Sequence, residues 1–169
     1  IRYKPEKLDQ ASNFANKIWN AAKFITNSLE PDEKIIAYYN KVYDKCANKF
    51  KEDCLRLEDK WIISKLNKLI KDVTKLIEDY DLGIALDKIY NFIWNEYCDW
   101  YIEMCKTRIY SDNIEERVQV NFVLDYVLRN SLKLLHPFMP FVTAKVYSKL
   151  VHYDNKDIMI SEWPKASEE

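Results

Sequence analysis

Glycine is almost absent from this chain of 169 residues: Gly83 is its single glycine, and five prolines accompany it. At the average usage of about 7%, a chain of this length would carry roughly twelve glycines. Nucleotide-binding loops of the P-loop or dinucleotide-binding type need several glycines, so the sequence excludes both. With so few turn-forming residues, we expect long, uninterrupted helices.

Metal-binding and catalytic motifs are missing too. The four cysteines contain no C-x-x-C pair, only two histidines occur, and Glu-x-x-His pairs of the di-iron type are absent. Cys98 and Cys105 lie one heptad apart, which favours two buried, reduced thiols of a cytoplasmic protein over a zinc site. His136 precedes Pro137 at a predicted helix end, where we expect it to bond backbone carbonyls, and His152 has no evident triad partner. We therefore predict no metal site and no catalytic site.

An excess of either charge is also lacking, because 26 basic residues stand against 27 acidic ones. Any RNA binding must therefore come from a local patch. Residues 1–29 carry a balance of +3 and residues 81–105 a balance of −4. The first segment is the better candidate for a surface that faces phosphates. No apolar run of about 20 residues occurs, so the sequence predicts no membrane span.

The spacing of apolar residues predicts four long helices. They run over about Pro5 to Leu29, Asp59 to Asp79, Asp81 to Lys106 and Glu115 to Leu135. Pro137 and Pro140 then force a bend before a short helix to about Leu150. We expect an all-α antiparallel bundle of four long helices with short extra helices, forming one domain over residues 1–169.

Two segments fit the bundle less well. Residues 32–57 are rich in Lys and Asp and are either a surface helix with a loop or a connecting insertion. Residues 154–169 alternate poorly, and we expect an extended C-terminal strap that packs through Ile158, Ile160 and Trp163. Because the chain begins with Ile1 rather than Met, we expect a domain excised from a larger protein.

Each long helix has a predicted buried face. These faces are Leu8, Ala11, Ala15, Ile18, Ala22, Ile25 and Leu29 in the first helix; Ile62, Leu66, Leu69, Val73 and Leu76 in the second; Leu82, Leu86, Ile89, Ile93, Tyr97, Trp100 and Met104 in the third; and Val120, Leu124, Val127, Ser131 and Leu134 in the fourth. The third helix is apolar beyond one stripe, which predicts a central position. Asp81 is expected to cap it.

A polar stripe on the first helix is not explained by burial. It consists of Asn13, Asn16, Asn20, Lys23 and Asn27, at alternating spacings of three and four. Asn is a poor residue for a helix interior, so the stripe works slightly against the helix. Amides beside ammonium groups and aromatic rings suit the reading of unpaired bases. A solvated polar face is the alternative, and spacing alone favours it.

Five segments resemble, in order, the anticodon-binding domain of class I aminoacyl-tRNA synthetases. They are NFANKIWNAAKF, KWIISKLN, IYNFIWNEYCDWYIEMCK, LKLLHPFMPFVTAKVY and MISEWP, and they cover nearly the whole chain apart from residues 32–57. The HPFMPF-type bend and the opening helix are shared by several class Ia enzymes. The run WNEYCDWYIE is similar to the valyl-tRNA synthetase family in particular.

The resemblance implies that the stripe on the first helix faces the anticodon stem and loop of tRNA. The implied tRNA-binding residues are Asn13, Asn16, Lys17, Asn20, Lys23 and Phe24. Lys17 and Lys23 suit phosphate contacts, the amides suit base edges or neighbouring loops, and Phe24 suits either base stacking or the core. Trp94, Asp99 and Trp100 belong to the family motif and are read as architecture. Ser12 stands where many relatives carry Arg, which removes one charged contact.

The resemblance also implies a parent enzyme that attaches valine to its tRNA with ATP and Mg. The HIGH-type and KMSKS-type sequences that handle ATP do not occur in these residues, so no cofactor is expected in this chain. The alternatives are the equivalent domain of an isoleucyl, leucyl or methionyl enzyme, and a helical protein-interaction module.

Overall fold

A computed structural model describes residues 5–28, 55–150 and 157–167, and every structural statement below concerns these ranges. The helices are α1 (Pro5–Ser28), α2 (Leu57–Glu78), α3 (Leu82–Asn91), a π-helical segment (Phe92–Tyr101), α4 (Ile102–Ile109), α5 (Ile114–Leu135), α6 (Pro140–Tyr147) and a 3₁₀ turn (Ile158–Ile160). The described ranges contain no strand, so the predicted all-α class is confirmed. The expectations for residues 32–54, Cys46, Cys54 and His152 fall outside these ranges.

Local signals place most helix ends within a few residues of the predicted positions. Pro5 opens α1, as its fixed φ favours in a first turn. Asn113 caps α5 by accepting a hydrogen bond from the Glu115 N–H at 2.9 Å. Asp81 lies at the N-cap position of α3, as predicted. The prediction that its side chain caps the helix is wrong, because that side chain makes no capping hydrogen bond. The backbone carbonyl oxygen of Asp81 accepts the Ala85 N–H instead, at 3.0 Å.

The buried face of α1 differs from the predicted one at its beginning. Phe14, Ile18, Ala21, Ala22 and Ile25 are buried, whereas Ala11 is exposed and Leu8 is 56% exposed. The core contact begins at Phe14, whose ring centroid lies 4.6 Å from that of Tyr90. Residues 8–13 of α1 are all exposed, so the apolar spacing of Leu8 and Ala11 does not lead to burial.

A run of six buried residues in the third helical stretch follows a spacing of four rather than alternating threes and fours. The run is Ile89, Ile93, Tyr97, Tyr101, Cys105 and Ile109. In an α-helix each step of four residues overshoots a full turn by about 40°, so the run would rotate away from the core. The wider π-helix with its i→i+5 hydrogen bonds removes part of that drift.

This change of period moves the buried face of the third stretch. The predictions for Trp100, which is 64% exposed, and for the exposed Met104 are wrong. Tyr101 and Cys105 are buried in their place. Leu82 is also exposed, but it lies in the first turn of α3, ahead of the π segment, so the change of period does not account for it. A pattern that assumes 3.6 residues per turn fails beyond Tyr97 because the backbone no longer has that period.

Helix α5 occupies the centre of the described fold, a position that the sequence had assigned to the third helix. It is buried on more than one side, and its predicted inner residues from Val120 to Leu134 are all fully buried. The predicted inner face of α2 is likewise confirmed from Ile62 to Val73. The Tyr97 hydroxyl donates a hydrogen bond to the Leu124 carbonyl at 2.8 Å, which joins the π segment to α5.

A buried ionic cluster joins the start of α2 to α4. The Asp59 carboxylate is fully buried and accepts hydrogen bonds from Arg108 Nη1 at 2.8 and 2.9 Å and from the Tyr101 hydroxyl at 2.6 Å. It also accepts the Arg56 N–H at 3.1 Å, which satisfies one of the free donors at the start of α2. Burial alone would lower the pKa of Arg108, but its hydrogen bonds and charge interaction with Asp59 offset this and raise it.

The C-terminal tail packs differently from the expected strap. Ile158 is buried, but Ile160 is 73% exposed, so the prediction for Ile160 is wrong. In an extended strand, side chains two residues apart point to the same side. Ile158 and Ile160 belong instead to a 3₁₀ turn with three residues per turn, so their side chains point in different directions. Trp163 Nε1 donates to Thr74 Oγ1 at 2.9 Å, and Asn67 Nδ2 donates to Ser167 Oγ at 2.7 Å. These bonds tie the tail to α2.

Ile18→Ala tests the burial of α1. Ile18 is fully buried, so we expect a loss of about 2–5 kcal/mol in the free energy of unfolding, measured by urea denaturation. Leu8→Ala on the same helix is the matched control, and it should change stability by no more than about 0.5 kcal/mol. Equal losses in the two variants would contradict the observed boundary of the core.

The two thiols predicted to be buried and reduced are so in the structure. Burial raises the pKa of both Cys98 and Cys105 to about 12. An unfolded thiol has a pKa of about 8.5, so ionisation favours the unfolded chain above that pH. The stabilisation from each buried thiol is therefore complete below about pH 8.5 and is lost as the pH rises towards 12.

Cys105→Ala tests this pH dependence. Between about pH 9 and 10.5, the unfolding free energy of the parent chain should fall more steeply than that of the variant. The difference should approach about 1.4 kcal/mol per pH unit. Met104→Ala, at an exposed neighbouring position, should keep the slope of the parent chain. Parallel slopes for parent and Cys105→Ala would show that this thiol does not drive the effect.

Candidate nucleic-acid interface

The outward face of α1 carries four polar side chains without a hydrogen bond or ion pair to the described protein. Asn13, Asn16, Asn20 and Lys23 are exposed, and none has a hydrogen-bond or ion-pair partner in residues 5–28, 55–150 and 157–167. Together they form the amide face. A helix interior gains nothing from these asparagines, so their chemistry is available to a partner.

The backbone beneath the amide face is held in place on several sides. Helix α1 packs against α5, α6 and the π segment. Near its end, Ser28 Oγ donates to Asn121 Oδ1 at 2.6 Å, and Asn121 Nδ2 donates to the Arg117 carbonyl at 2.8 Å. Near its beginning, Phe14 packs against Tyr90 and stacks on Trp94. The amide face is therefore a fixed surface.

Lys17 differs from the other predicted contacts because the protein already neutralises its charge. Its Nζ lies 2.5 Å from Asp99 Oδ1 and 4.0 Å from the ring centroid of Trp94. Both partners belong to the π segment, so the pair joins α1 to that segment. Trp94 and Asp99 thus have the structural role that was expected of them. The structure gives no such contact for Trp100, which is largely exposed. Lys23, by contrast with Lys17, has no ion-pair partner in the described ranges.

Phe24 lies at the border between the amide face and the core. Its ring is half-buried and packs against the hydrophobic core, which leaves part of it accessible. Trp19 is exposed on the other side of the amide face. The structure therefore places the predicted site residues on one helix but gives them unequal access to a partner: full for four, partial for Lys17 and Phe24.

His136 is the histidine that the described ranges contain. The Nδ1 atom of His136 lies 2.7 Å from Thr143 Oγ1, so this histidine bonds a hydroxyl rather than the backbone carbonyls expected. No cluster of three metal-ligating side chains occurs there. Among the described helices, none has the length and apolar character needed to cross a membrane.

Fold and surface together define an all-helical domain whose first helix presents an unpaired polar face. Residues 59–169 match the family described as the anticodon-binding domain of tRNA ligase. This match covers more than half of the chain, and the chain belongs to that family. The resemblance predicted from the sequence is confirmed.

Curated relatives extend the similarity across α1, which precedes the matched residues. The valine–tRNA ligase of Clostridium perfringens is 43% identical over 166 residues, covering 97% of this chain. Those of Clostridium tetani and Latilactobacillus sakei are 40% and 42% identical over 169 residues, or 100% of this chain. The chain spans 17–18% of the length of these proteins.

Lys17→Ala tests whether this lysine is part of the fold. Losing the ion pair and the contact with Trp94 should lower the unfolding free energy by about 1 kcal/mol. It should also change the near-ultraviolet circular dichroism of the aromatic cluster. Lys23→Ala, on the exposed side of the same helix, is the control and should leave both unchanged. A spectrum and stability equal to those of the parent would show that the contact contributes nothing.

Proposed function

We propose that this domain recognises the anticodon stem and loop of a tRNA through the amide face of α1. The observation that carries the proposal is the set of Asn13, Asn16, Asn20 and Lys23, exposed and without partners, on a fixed helix of an anticodon-binding family. Neutral amides at helical spacing otherwise bring no gain in stability.

The chemistry of the face suits a single-stranded loop. Each asparagine offers a donor and an acceptor, which match the exposed edges of unpaired bases. Lys23 supplies a point charge for a phosphate, and the partly accessible edge of Phe24 suits contact with a base. Lys17 joins α1 to the π segment through Asp99, so a phosphate at the edge of the face would have to compete with that carboxylate for its ammonium group.

The names of the relatives support a more specific proposal. We infer that the domain belongs to a valine–tRNA ligase and that its tRNA is a valine isoacceptor. Attachment of valine with ATP and Mg would then take place in other parts of that enzyme, and this chain would hold no cofactor. We infer that this enzyme is cytoplasmic, which the reduced thiols and the proposed handling of tRNA support. The equivalent domain of an isoleucyl, leucyl or methionyl enzyme, and a helical protein-interaction module, are the alternatives that the experiment separates.

Lys23→Ala and Asn20→Ala test the amide face. Binding is measured with a valine tRNA transcript over a range of salt concentrations. Lys23→Ala should weaken binding and reduce the slope of log affinity against log salt by about 1, because one phosphate contact is lost. Asn20→Ala should reduce the preference for this transcript over one with an exchanged anticodon. Lys68→Ala, exposed on α2, is the matched control and should change neither quantity.

The same binding measurements can also contradict the proposed function. Equal affinity for the valine and exchanged-anticodon transcripts, also in the full-length enzyme, would overturn anticodon recognition. A preference for an isoleucine, leucine or methionine transcript would assign the domain to that ligase. Affinity for a protein partner that responds weakly to salt, with no RNA binding, would favour an apolar interaction module.

A further inference from the structure

Phe141 is the most exposed large apolar side chain in the described ranges, at 90%. It lies in the first turn of α6, directly after Pro140. Its neighbours Thr143, Val146 and Tyr147 are buried, so the helix turns one side to the core and Phe141 to the solvent. An isolated exposed apolar residue is common in proteins. What sets Phe141 apart is the pair of lysines beside it, Lys145 and Lys149.

Two lysines share the outward side of α6 with Phe141. Lys145 and Lys149 follow it at steps of four residues, and both are exposed. Hydrogen bonds from Ser148 N to the Ala144 carbonyl at 3.0 Å and from Lys149 N to the Val146 carbonyl at 2.9 Å continue the helical turns to Lys149. The three side chains therefore form one line, which we call the α6 strip.

The α6 strip lies in the part of the sequence that has no negative charge. Residues 126–153 contain no Asp or Glu, although the whole chain carries 27 acidic residues. Elsewhere in the described ranges Lys17, Lys65, Lys88, Lys106 and Lys165 each pair with a carboxylate. Exposed lysines of α1 and α2 have no such partner in these ranges: Lys23, Lys60, Lys68, Lys71 and Lys75. Lys145 and Lys149 have no such partner there. Asp157, beside the 3₁₀ turn that packs on α6, accepts the Met159 N–H at 3.0 Å.

The backbone that carries Phe141 is rigidly fixed. Thr143 Oγ1 contacts the His136 ring at 2.7 Å and donates to the Met139 carbonyl at 2.8 Å. Pro140 sets the backbone at the start of the helix. The backbone at Phe141 therefore needs little further ordering when the ring is covered, which favours binding.

We propose that the α6 strip is a second RNA contact beside the amide face, with Phe141 stacking on an unpaired base and Lys145 and Lys149 binding phosphates. Helix α6 packs directly against α1, so the two surfaces lie on neighbouring helices. An accessible ring next to unpaired cations is the combination that single-stranded nucleic acids bind. The inference rests on the proposed function, because the RNA is the same tRNA.

Three substitutions at Phe141 test the stacking contact with the same valine tRNA transcript. Phe141→Ala should weaken binding about 5- to 150-fold, the range expected for loss of one stacked base. Phe141→Trp should keep the affinity of the parent, and Phe141→Leu should lose nearly as much as Phe141→Ala, because stacking needs a flat π face. Tyr80→Ala, which removes an aromatic side chain that is 87% exposed on the α2–α3 turn, is the matched control and should bind like the parent.

The lysines are tested by the salt dependence of binding. The double variant Lys145→Ala, Lys149→Ala should reduce the slope of log affinity against log salt by about 1.4 if both phosphates belong to a single strand. Lys68→Ala again serves as the control. Circular dichroism should show parent-like folding for all these variants, because each replaced side chain is exposed.

Lys23→Ala separates failure of this inference from failure of the proposed function. If Lys23→Ala weakens binding and the Phe141 and lysine variants bind like the parent, the α6 strip is not an RNA contact and the amide face remains one. If no variant affects RNA binding, both proposals fall. Full RNA affinity in Phe141→Leu would show that binding does not need the flat face of the ring, which also overturns the proposed stacking contact.

Discussion

The carboxylate of Asp59 joins the start of α2 to the end of the π segment and to α4. Arg108, Tyr101 and the backbone of Arg56 all donate to it, and it is fully buried. A buried charge is tolerated when its partners are complete, and removing one partner of such a pair typically costs about 3–5 kcal/mol. The cluster fixes where α2 begins and how α4 lies against it. The π segment between α3 and α4 is thereby held as well, and with it the groups that contact α1.

These contacts also fix the position of the proposed RNA surface. Asp59 is bonded to Tyr101 at the end of the π segment, and Trp94 and Asp99 of the same segment contact Lys17. Ser28 and Asn121 join the far end of α1 to α5. The asparagines outside these contacts are carried by a helix that has little freedom to move. A surface that must distinguish one base from another gains from such rigidity, because less entropy is lost on binding.

Much of the fold could be predicted from the sequence where the backbone has ordinary α-helical geometry. The ends of α2 and α5 and their buried faces follow from apolar spacing, since burial there keeps the period of 3.6 residues. The third stretch was predicted less well, because the expected face assumed the α-helical period, whereas Tyr101 and Cys105 become buried through a π-helix. Leu8 and Ala11 show another limit: periodicity identifies an apolar side but not where along the helix burial begins.

The candidate site was accessible from the sequence only in part. Spacing revealed the amide face but favoured a solvated surface, and the resemblance to a known family was needed to connect it with RNA. The ion pair between Lys17 and Asp99 joins residues 82 positions apart, which a pattern read along one helix cannot detect. Phe141 was visible as part of the HPFMPF motif, but its exposure depends on how α6 is oriented against the core.

Because Cys98 and Cys105 are buried, a cysteine introduced on the surface of this domain can be labelled selectively for spectroscopy. With pKa values raised to about 12, Cys98 and Cys105 remain almost entirely protonated at neutral pH, and protonated thiols react slowly with maleimides and iodoacetamides. A cysteine introduced at position 20 or 145 would be exposed and would react much faster. Once Cys46 and Cys54 are replaced, a fluorophore or spin label attached there would report on each surface separately, with the buried pair left in place as part of the core.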